Sequence, residues 1–233
     1  MNIIPVLDLK DGQVVHAKHG NRQAYLPIQS ALTNSSEAMS VVQALLSLYP
    51  FKQLYIADID AIQSTGHHTH LIQDLQVKFP DLEIWLDAGF CSIEAVEAWH
   101  KTKVSLVLGS ESLKSVENYQ QLMAACHAPP ILSLDFKSQK ILGPQSLLNS
   151  PELWPQQVIV MTLDQVGSQA GPDLEQLGLV QKKSSQISIY AAGGVRSVED
   201  LVILSHQNIT GALIASALHK GSISSSDLQK LQT

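Results

Sequence analysis

Residues 85–92, WLDAGFCS, and residues 190–197, YAAGGVRS, share one pattern. Each stretch runs from apolar residues into a turn of small residues and then into a Ser, which is a favoured residue at the start of a helix. A strand that ends in a tight turn and is followed by a helix is the unit of a parallel α/β fold. Because this corner occurs twice, the sequence predicts a repeat of two similar halves. Only the second copy has two adjacent glycines, Gly193 and Gly194.

Eight short apolar runs are spread along the chain, and segments with helical spacing separate them. Runs that are apolar throughout are typical of parallel strands buried on both faces. Eight such units predict a closed (β/α)8 TIM barrel, an α/β fold, as a single domain over residues 1–233 with half-repeats at about 1–127 and 128–233. A doubly wound open sheet is the alternative, but the GxGxxG corner typical of it does not follow the first strand. The runs are NIIPVLDL, QLYIAD, EIWLD, VSLVLG, PILSLD, QVIVMT, QISIYAA and GALIAS.

Composition and charge exclude several classes of protein. The net charge is −6 and Lys and Arg form no run, so a nucleic-acid partner is not expected. No basic leader precedes the first apolar run and no apolar run reaches 18 residues, so we expect no membrane partner and a cytoplasmic location. Cys91 and Cys126 have no metal-ligand spacing, and we expect neither to form a disulfide. The sequence favours no particular oligomeric state.

Alignment of the two halves pairs the carboxylates Asp8 and Asp135, which both end an apolar strand, in IIPVLDLK and PILSLDFK. A single Asp at such a position is commonly a helix cap. In a closed eight-stranded barrel, however, the first and fifth strands face each other across the mouth. Two facing carboxylates can remove a proton from one side of a substrate and donate one to the other side. We therefore predict that Asp8 and Asp135 are catalytic.

The glycine corner of the second half predicts a phosphate site. Gly193 and Gly194 allow the backbone to approach an anion closely, and a helix begins just after them. Amide groups there and at Ala215 and Ser216 would form the phosphate site that many such barrels have after strands seven and eight.

The matching corner of the first half has a single glycine at each turn, Gly89 and Gly109, followed in the second case by Ser110. Asp87 lies just before it. Gly89, Gly109 and Ser110 are candidates for a second phosphate site. Because Asp87 is acidic, the site could bind phosphate more weakly than the second-half corner or bind a different ligand.

The segments IIPVLDLKDGQVV, SLD, AAGGVRSVEDL and GALIASALHKG resemble the phosphoribosyl-binding barrels of histidine biosynthesis, the HisA isomerase and the HisF cyclase. The likeness covers nearly the whole chain. It implies two phosphate sites, a phosphorylated small-molecule substrate stretched across the mouth, and acid–base catalysis by Asp8 and Asp135. The HisA reaction is an Amadori rearrangement of an aminoaldose to an aminoketose, which two carboxylates can carry out without a metal or an organic cofactor. No cofactor is therefore expected.

Several motifs depart from the HisA pattern. After the third barrel strand, DAGFC stands where HisA has a GGGIR corner. After the sixth, DQVGSQ stands where HisA has RDGT, so Val166 lies near the position of the acidic residue of that motif. The GW pair of the fifth strand's loop is absent from KSQKILGPQS. Thr162, at the end of the sixth strand, matches and is predicted to position the substrate. The departures favour a HisA-related paralogue, with poor activity on the ordinary HisA substrate, or a role in another pathway such as methanopterin-type cofactor biosynthesis.

Further substrate contacts are predicted near the mouth. His16 replaces a basic residue of the family, and roughly 23 extra residues between the first two strands carry Arg22. A long connection over a barrel mouth often acts as a lid, so we expect residues 17–28 to become better ordered when ligand binds. Asp58 and Asp164, near the ends of the second and sixth strands, are also candidates.

Two interpretations of function remain at this level. One is an isomerase or related acid–base enzyme, and the other is a catalytically silent barrel that binds a phosphorylated metabolite or a partner. The pair of aspartates favours the enzyme, because binding an anion does not require two carboxylates. His67, His68 and His70 cluster just past a strand end, but no acidic ligands accompany them in the sequence pattern and we predict no metal site.

Overall fold

The computed structural model describes residues 1–168 and 170–231, so Gln169 of the DQVGSQ loop lies outside the described residues, as do residues 232–233. Eight parallel strands form a sheet in the order β1-β4-β5-β6-β7-β9-β10-β11, and pairing of β11 with β1 closes it into a barrel. The predicted (β/α)8 TIM barrel is confirmed, and each of the eight apolar runs overlaps one barrel strand. The strands of the described residues are β1 (Asn2–Lys10), β2 (Gln13–His16), β3 (Leu26–Pro27), β4 (Gln53–Asp58), β5 (Glu83–Asp87), β6 (Ser105–Gly109), β7 (Ile131–Lys137), β8 (Lys140–Ile141), β9 (Gln157–Thr162), β10 (Ser188–Ala192) and β11 (Gly211–Ile214).

Helices connect successive barrel strands and cover the outside of the sheet. Several begin at the small polar residues that the sequence offers for this purpose. Ser92, for example, accepts a hydrogen bond from the Ala95 backbone N–H at the start of α4. The helices are α1 (Ala38–Leu48), α2 (Ile59–Ile62), α3 (Thr69–Lys78), α4 (Ile93–Glu97), α5 (Val116–Ala125), α6 (Gln145–Leu148), α7 (Leu174–Gln181), α8 (Val198–His206), α9 (Ser216–His219) and α10 (Ser225–Leu231). Among the described residues, none of these helices combines the length and apolar character needed to span a bilayer.

The core has two parts, one between the sheet and its helices and one inside the barrel. In the barrel interior, Trp85 of β5 and Tyr190 of β10 pack edge to face, with ring centroids 4.9 Å apart and an interplanar angle of 82°. These residues open the two stretches of sequence that predicted the repeat, and their strands lie on opposite sides of the barrel. The interior below the mouth is therefore filled with side chains, as in other barrels of this type.

The two-fold repeat is visible in a pair of matching hairpins. β1 turns into β2 at Asp11, which has a φ of +50°, and β7 turns into β8 at Ser138, which has the same φ. The Asp11 backbone N–H donates to the Asp60 carboxylate at 2.9 Å, and the Ser138 backbone N–H donates to the Asp164 carboxylate. The repeat thus extends to the connections that follow the first and fifth barrel strands.

Candidate active site

A cleft opens at the carboxyl ends of the barrel strands, and the empty space in and above it amounts to about 1020 Å³ when open solvent at its mouth is included. Every barrel strand except β6 contributes a residue of the strand itself to the lining, and the turn after β6 contributes Glu111. Eight of the residues predicted for the site line this cleft: Asp8, His16, Arg22, Asp135, Gly193, Gly194, Ala215 and Ser216. The barrel thus brings the proposed catalytic pair and the second-half glycine corner into one space.

Asp8 lies near the end of β1, half-buried, and its carboxylate is free of hydrogen bonds from the described residues. Burial raises the pKa of Asp8 to about 7, and the Arg22 guanidinium opposes this rise. A carboxyl group with a pKa near neutrality exchanges protons readily at physiological pH, which is the property that a general base requires.

Asp135 lies at the end of β7 and is only 4% exposed. Its carboxylate accepts hydrogen bonds from the Ser133 hydroxyl at 2.6 Å and from the Glu111 backbone N–H at 3.1 Å, and the Ser110 hydroxyl lies 3.2 Å away. Burial raises the pKa of Asp135 to about 8, and the neighbouring Glu111 and Asp87 add to the rise. Asp135 is therefore largely protonated at neutral pH and can serve as an acid.

The second-half corner has the backbone conformation that its glycines predict. Gly193 and Gly194 have φ values of +99° and +89°, which side chains rarely tolerate. A Cβ atom on Gly194 would lie 2.0 Å from the Gly171 carbonyl oxygen. Within the described residues, the Gly194 and Ser216 backbone N–H groups donate to no other residue, so both remain available to an anion in the cleft.

The first-half corner differs from the prediction of a second phosphate site. The Gly89 backbone N–H donates to the Asp87 carboxylate at 3.0 Å, and Ser110 is fully buried with its hydroxyl bonded to Asp135. A Cβ atom at Gly109 would lie 3.1 Å from the Asp87 carboxylate and 3.3 Å from the Asp135 carboxylate, so a side chain there would crowd both groups. None of the three residues lines the cleft, so the structure does not support Gly89, Gly109 and Ser110 as phosphate ligands.

Two acidic residues that were not predicted to contact substrate line this half of the cleft. Asp87 is 5% exposed, and burial raises its pKa to about 6. Glu111 forms a salt bridge with Arg22, so Arg22 is not a free anion contact as the sequence suggested. Asp87 had already stood out as an acidic neighbour of Gly89, whereas Glu111 follows β6 in a polar turn with no distinctive pattern.

Three other predicted residues lie outside the cleft. Thr162 is buried at the end of β9, where its carbonyl oxygen packs against Gly193. Asp58, 1% exposed, accepts hydrogen bonds from the Ala61 and His68 backbone N–H groups and therefore caps α2. Asp164 binds the Ser138 turn. These side chains support the walls of the site, and the predictions that Thr162, Asp58 and Asp164 contact substrate are not supported.

The histidine cluster also has a structural arrangement. The His68 Nδ1 atom lies 2.8 Å from the Asp58 carboxylate, and its Nε2 atom accepts a hydrogen bond from the Gly12 backbone N–H at 2.9 Å. His68 thereby ties the β1–β2 hairpin to the end of β4. Across the described ranges, no three His, Cys, Asp or Glu side chains converge in a way that could hold a metal ion. Cys91 and Cys126 are free thiols.

The connection between β2 and α1 crosses the mouth of the cleft, and we call residues 17–31 the strap. One end is held by a hydrogen bond from the His19 backbone N–H to the Val166 carbonyl, and the middle by the salt bridge of Arg22. The far end is held at α9, where the Ser30 hydroxyl lies 2.9 Å from His219 Nδ1. The strap carries Arg22 and Tyr25 into the cleft lining.

Comparison with known proteins identifies relatives along the whole barrel. The family model described as histidine biosynthesis protein matches residues 2–224. An uncharacterized protein of Methanocaldococcus jannaschii is 30% identical over 227 residues, covering 95% of this chain and 94% of that protein. An isomerase of Clostridium kluyveri, named for an imidazole-4-carboxamide with two 5-phosphoribosyl groups, is 28% identical and covers 96% of both chains. A Bacillus anthracis isomerase of the same name is 26% identical, over 96% of this chain and 95% of its own.

The fold, the pair of strand-end aspartates and the match over residues 2–224 agree with the resemblance that the sequence motifs suggested. The chain belongs to the histidine biosynthesis protein family and is related to the HisA isomerases within it.

Proposed function

We propose that this protein is a HisA-like isomerase that converts a phosphorylated aminosugar or phosphoribosyl-type intermediate from an aldose to a ketose. The observation that carries the proposal is the placement of Asp8 and Asp135 in one cleft with the free amides of the glycine corner. Relatives at 26–30% identity include named isomerases, which supports the reaction class and leaves the substrate to be identified.

The different environments of the two carboxyl groups support a division of roles. Asp135, protonated at neutral pH, donates its proton to the ring oxygen of the aminoaldose, which opens the ring and leaves an iminium ion at C1. Asp8 then removes the proton from C2, and the resulting enolamine becomes the aminoketose when its C1 is reprotonated. In this last step Asp8 returns its proton to C1 while the C2 hydroxyl passes its proton to the Asp135 carboxylate, which restores both groups, so the rearrangement uses protons alone and consumes no oxidant or reductant.

The phosphate of the substrate is assigned to the second-half corner. Positive φ values at Gly193 and Gly194 turn the backbone toward the cleft, and the N–H groups of Gly194 and Ser216, which donate to no other described residue, offer two donors to phosphate oxygens. An anion held there fixes one end of the substrate while the reacting carbons lie between the aspartates. Holding the reactive carbons in this way is a major source of rate enhancement.

Turnover of the bound metabolite tests the proposal. The phosphorylated compound that co-purifies with the protein is identified by mass spectrometry and then supplied to the wild type, to Asp8→Asn and to Asp135→Asn. We expect both variants to bind the ligand but to lose turnover. Asp74→Asn, which changes an exposed residue on α3, is the control and should keep full turnover. Undiminished turnover in both variants would remove the catalytic pair.

Complementation separates this protein from an ordinary histidine enzyme. A strain that lacks HisA should grow poorly without histidine when it carries this gene, because the DAGFC corner after β5, the DQVGSQ loop after β9 and the KSQKILGPQS loop after β7 all depart from the HisA pattern. Full complementation would show that these departures do not change the substrate. The second candidate, a barrel that only binds a phosphorylated metabolite, is favoured by the same departures and predicts ligand binding with no turnover.

A further inference from the structure

The two halves of the cleft differ at two positions related by the repeat. Asp87 at the end of β5 corresponds to Ala192 at the end of β10, and Glu111 after β6 corresponds to Ala217 after β11. Alanine leaves the second-half backbone open to an anion. Carboxylates occupy both equivalent positions in the first half, and both line the cleft.

Two backbone donors of the first half, including the Gly89 N–H that matches the Gly194 N–H of the second half, are already bonded to these or neighbouring carboxylates. The Gly89 N–H donates to Asp87 and the Glu111 N–H donates to Asp135, at 3.0 and 3.1 Å. Arg22, the cation of this region, is paired with Glu111. A second phosphate would have to displace these partners and approach the negative charge of Asp87 and Glu111, which is unfavourable in a poorly solvated cleft.

We propose that Asp87 and Glu111 are specificity-determining residues that exclude a second phosphate, so that the substrate carries one phosphate and an uncharged or cationic group at its other end. This inference rests on the proposed function, because it assigns the single phosphate to the glycine corner of the second half. It also accounts for a difference from the relatives, whose names specify a substrate with two phosphoribosyl groups. The acidic residues select against such a substrate by repulsion rather than by an added attraction.

Binding of two simple sugar phosphates tests the proposal. Isothermal titration calorimetry compares ribose 5-phosphate, with one phosphate, and ribulose 1,5-bisphosphate, with two. The wild type should bind the monophosphate at least about tenfold more tightly. In Asp87→Ala/Glu111→Ala, which gives the first half the alanines of the second, affinity for the bisphosphate should rise at least about tenfold while that for the monophosphate changes little.

Two further variants make the result specific. Asp74→Ala/Glu97→Ala removes the same charge from exposed positions on α3 and α4 and should leave both affinities unchanged. Asp87→Asn/Glu111→Gln removes the charge but keeps the size of both side chains, and it replaces the alanine variant if that protein fails to show a cooperative thermal transition.

The outcomes distinguish this inference from the function on which it rests. Equal affinity of the wild type for both sugars, or no gain for the bisphosphate in a folded variant, would overturn the inference and leave the isomerase proposal standing. Binding of neither sugar to the wild type would refute the anion corner itself, and the inference would fall with it.

Discussion

Replacement of Asp135 by Asn should reverse the sign of its effect on stability between acid and alkaline pH. The native state keeps the Asp135 proton until its pKa of about 8, whereas the unfolded chain loses it near 3.8. Between these values the native state binds more protons, so the contribution of Asp135 to the free energy of unfolding falls as the pH rises through this window. At about 1.4 kcal/mol for each pKa unit, ionising the buried group costs at most about 6 kcal/mol at pH 9.

Asparagine removes that cost and is close in size to aspartate. It keeps one oxygen for the Ser133 hydroxyl but cannot accept from both Ser133 and the Glu111 N–H as the carboxylate does, a loss of about 1–2 kcal/mol. We therefore expect Asp135→Asn to be about 1–2 kcal/mol less stable than the wild type at pH 4 and more stable than the wild type, by up to about 4 kcal/mol, at pH 9.

The measurement is urea unfolding followed by circular dichroism at both pH values, with Asp74→Asn as the control for a change in surface charge. The difference between variant and wild type should change sign only for Asp135→Asn. The same difference at pH 4 and pH 9 would refute the reasoning that burial and the neighbouring carboxylates raise the pKa of Asp135.

Three other changes test separate parts of the structure. Asp8→Asn should reduce turnover of the co-purified substrate about 10²–10⁴-fold with little change in its binding, as measured by steady-state kinetics and calorimetry, and an equal loss of binding would instead indicate a positioning role. Gly194→Ala should cost about 3 kcal/mol or more in chemical unfolding, because its Cβ meets the Gly171 carbonyl, whereas Gly12→Ala, with a φ of +76° and open space around it, should cost about 1 kcal/mol. Amide hydrogen exchange over residues 17–28 should slow when ribose 5-phosphate binds, and identical exchange with and without the ligand would contradict the lid.

The fold could be predicted because the strands of this barrel are buried on both faces. The run QVIVMT has four consecutive apolar residues for that reason, and it forms β9 over the same residues. The repeat between residues 85–92 and 190–197 then fixed which strands oppose each other. Asp8 and Asp135 could be assigned to one site from sequence because strand order alone determines that β1 and β7 face across the mouth.

The remaining site residues depend on side-chain direction, which the spacing of residues along the chain does not determine. Asp58 and Asp8 both occur near strand ends, yet Asp58 turns toward the start of α2 while Asp8 lines the cleft. Glu111 was missed because it lies in a short turn whose residues have no periodic pattern. Arg22 was placed near the mouth, but its pairing with a residue 89 positions away could not be read from the sequence.

The edge-to-face contact of Trp85 with Tyr190 has a kinetic consequence. Because these rings fill the interior below the cleft, the described residues leave no passage along the barrel axis, and reactant and product use the same opening at the mouth of the cleft. Product and substrate then compete for the same site, so product inhibition should be purely competitive. The rate at which the strap opens should limit both the binding of substrate and the release of product.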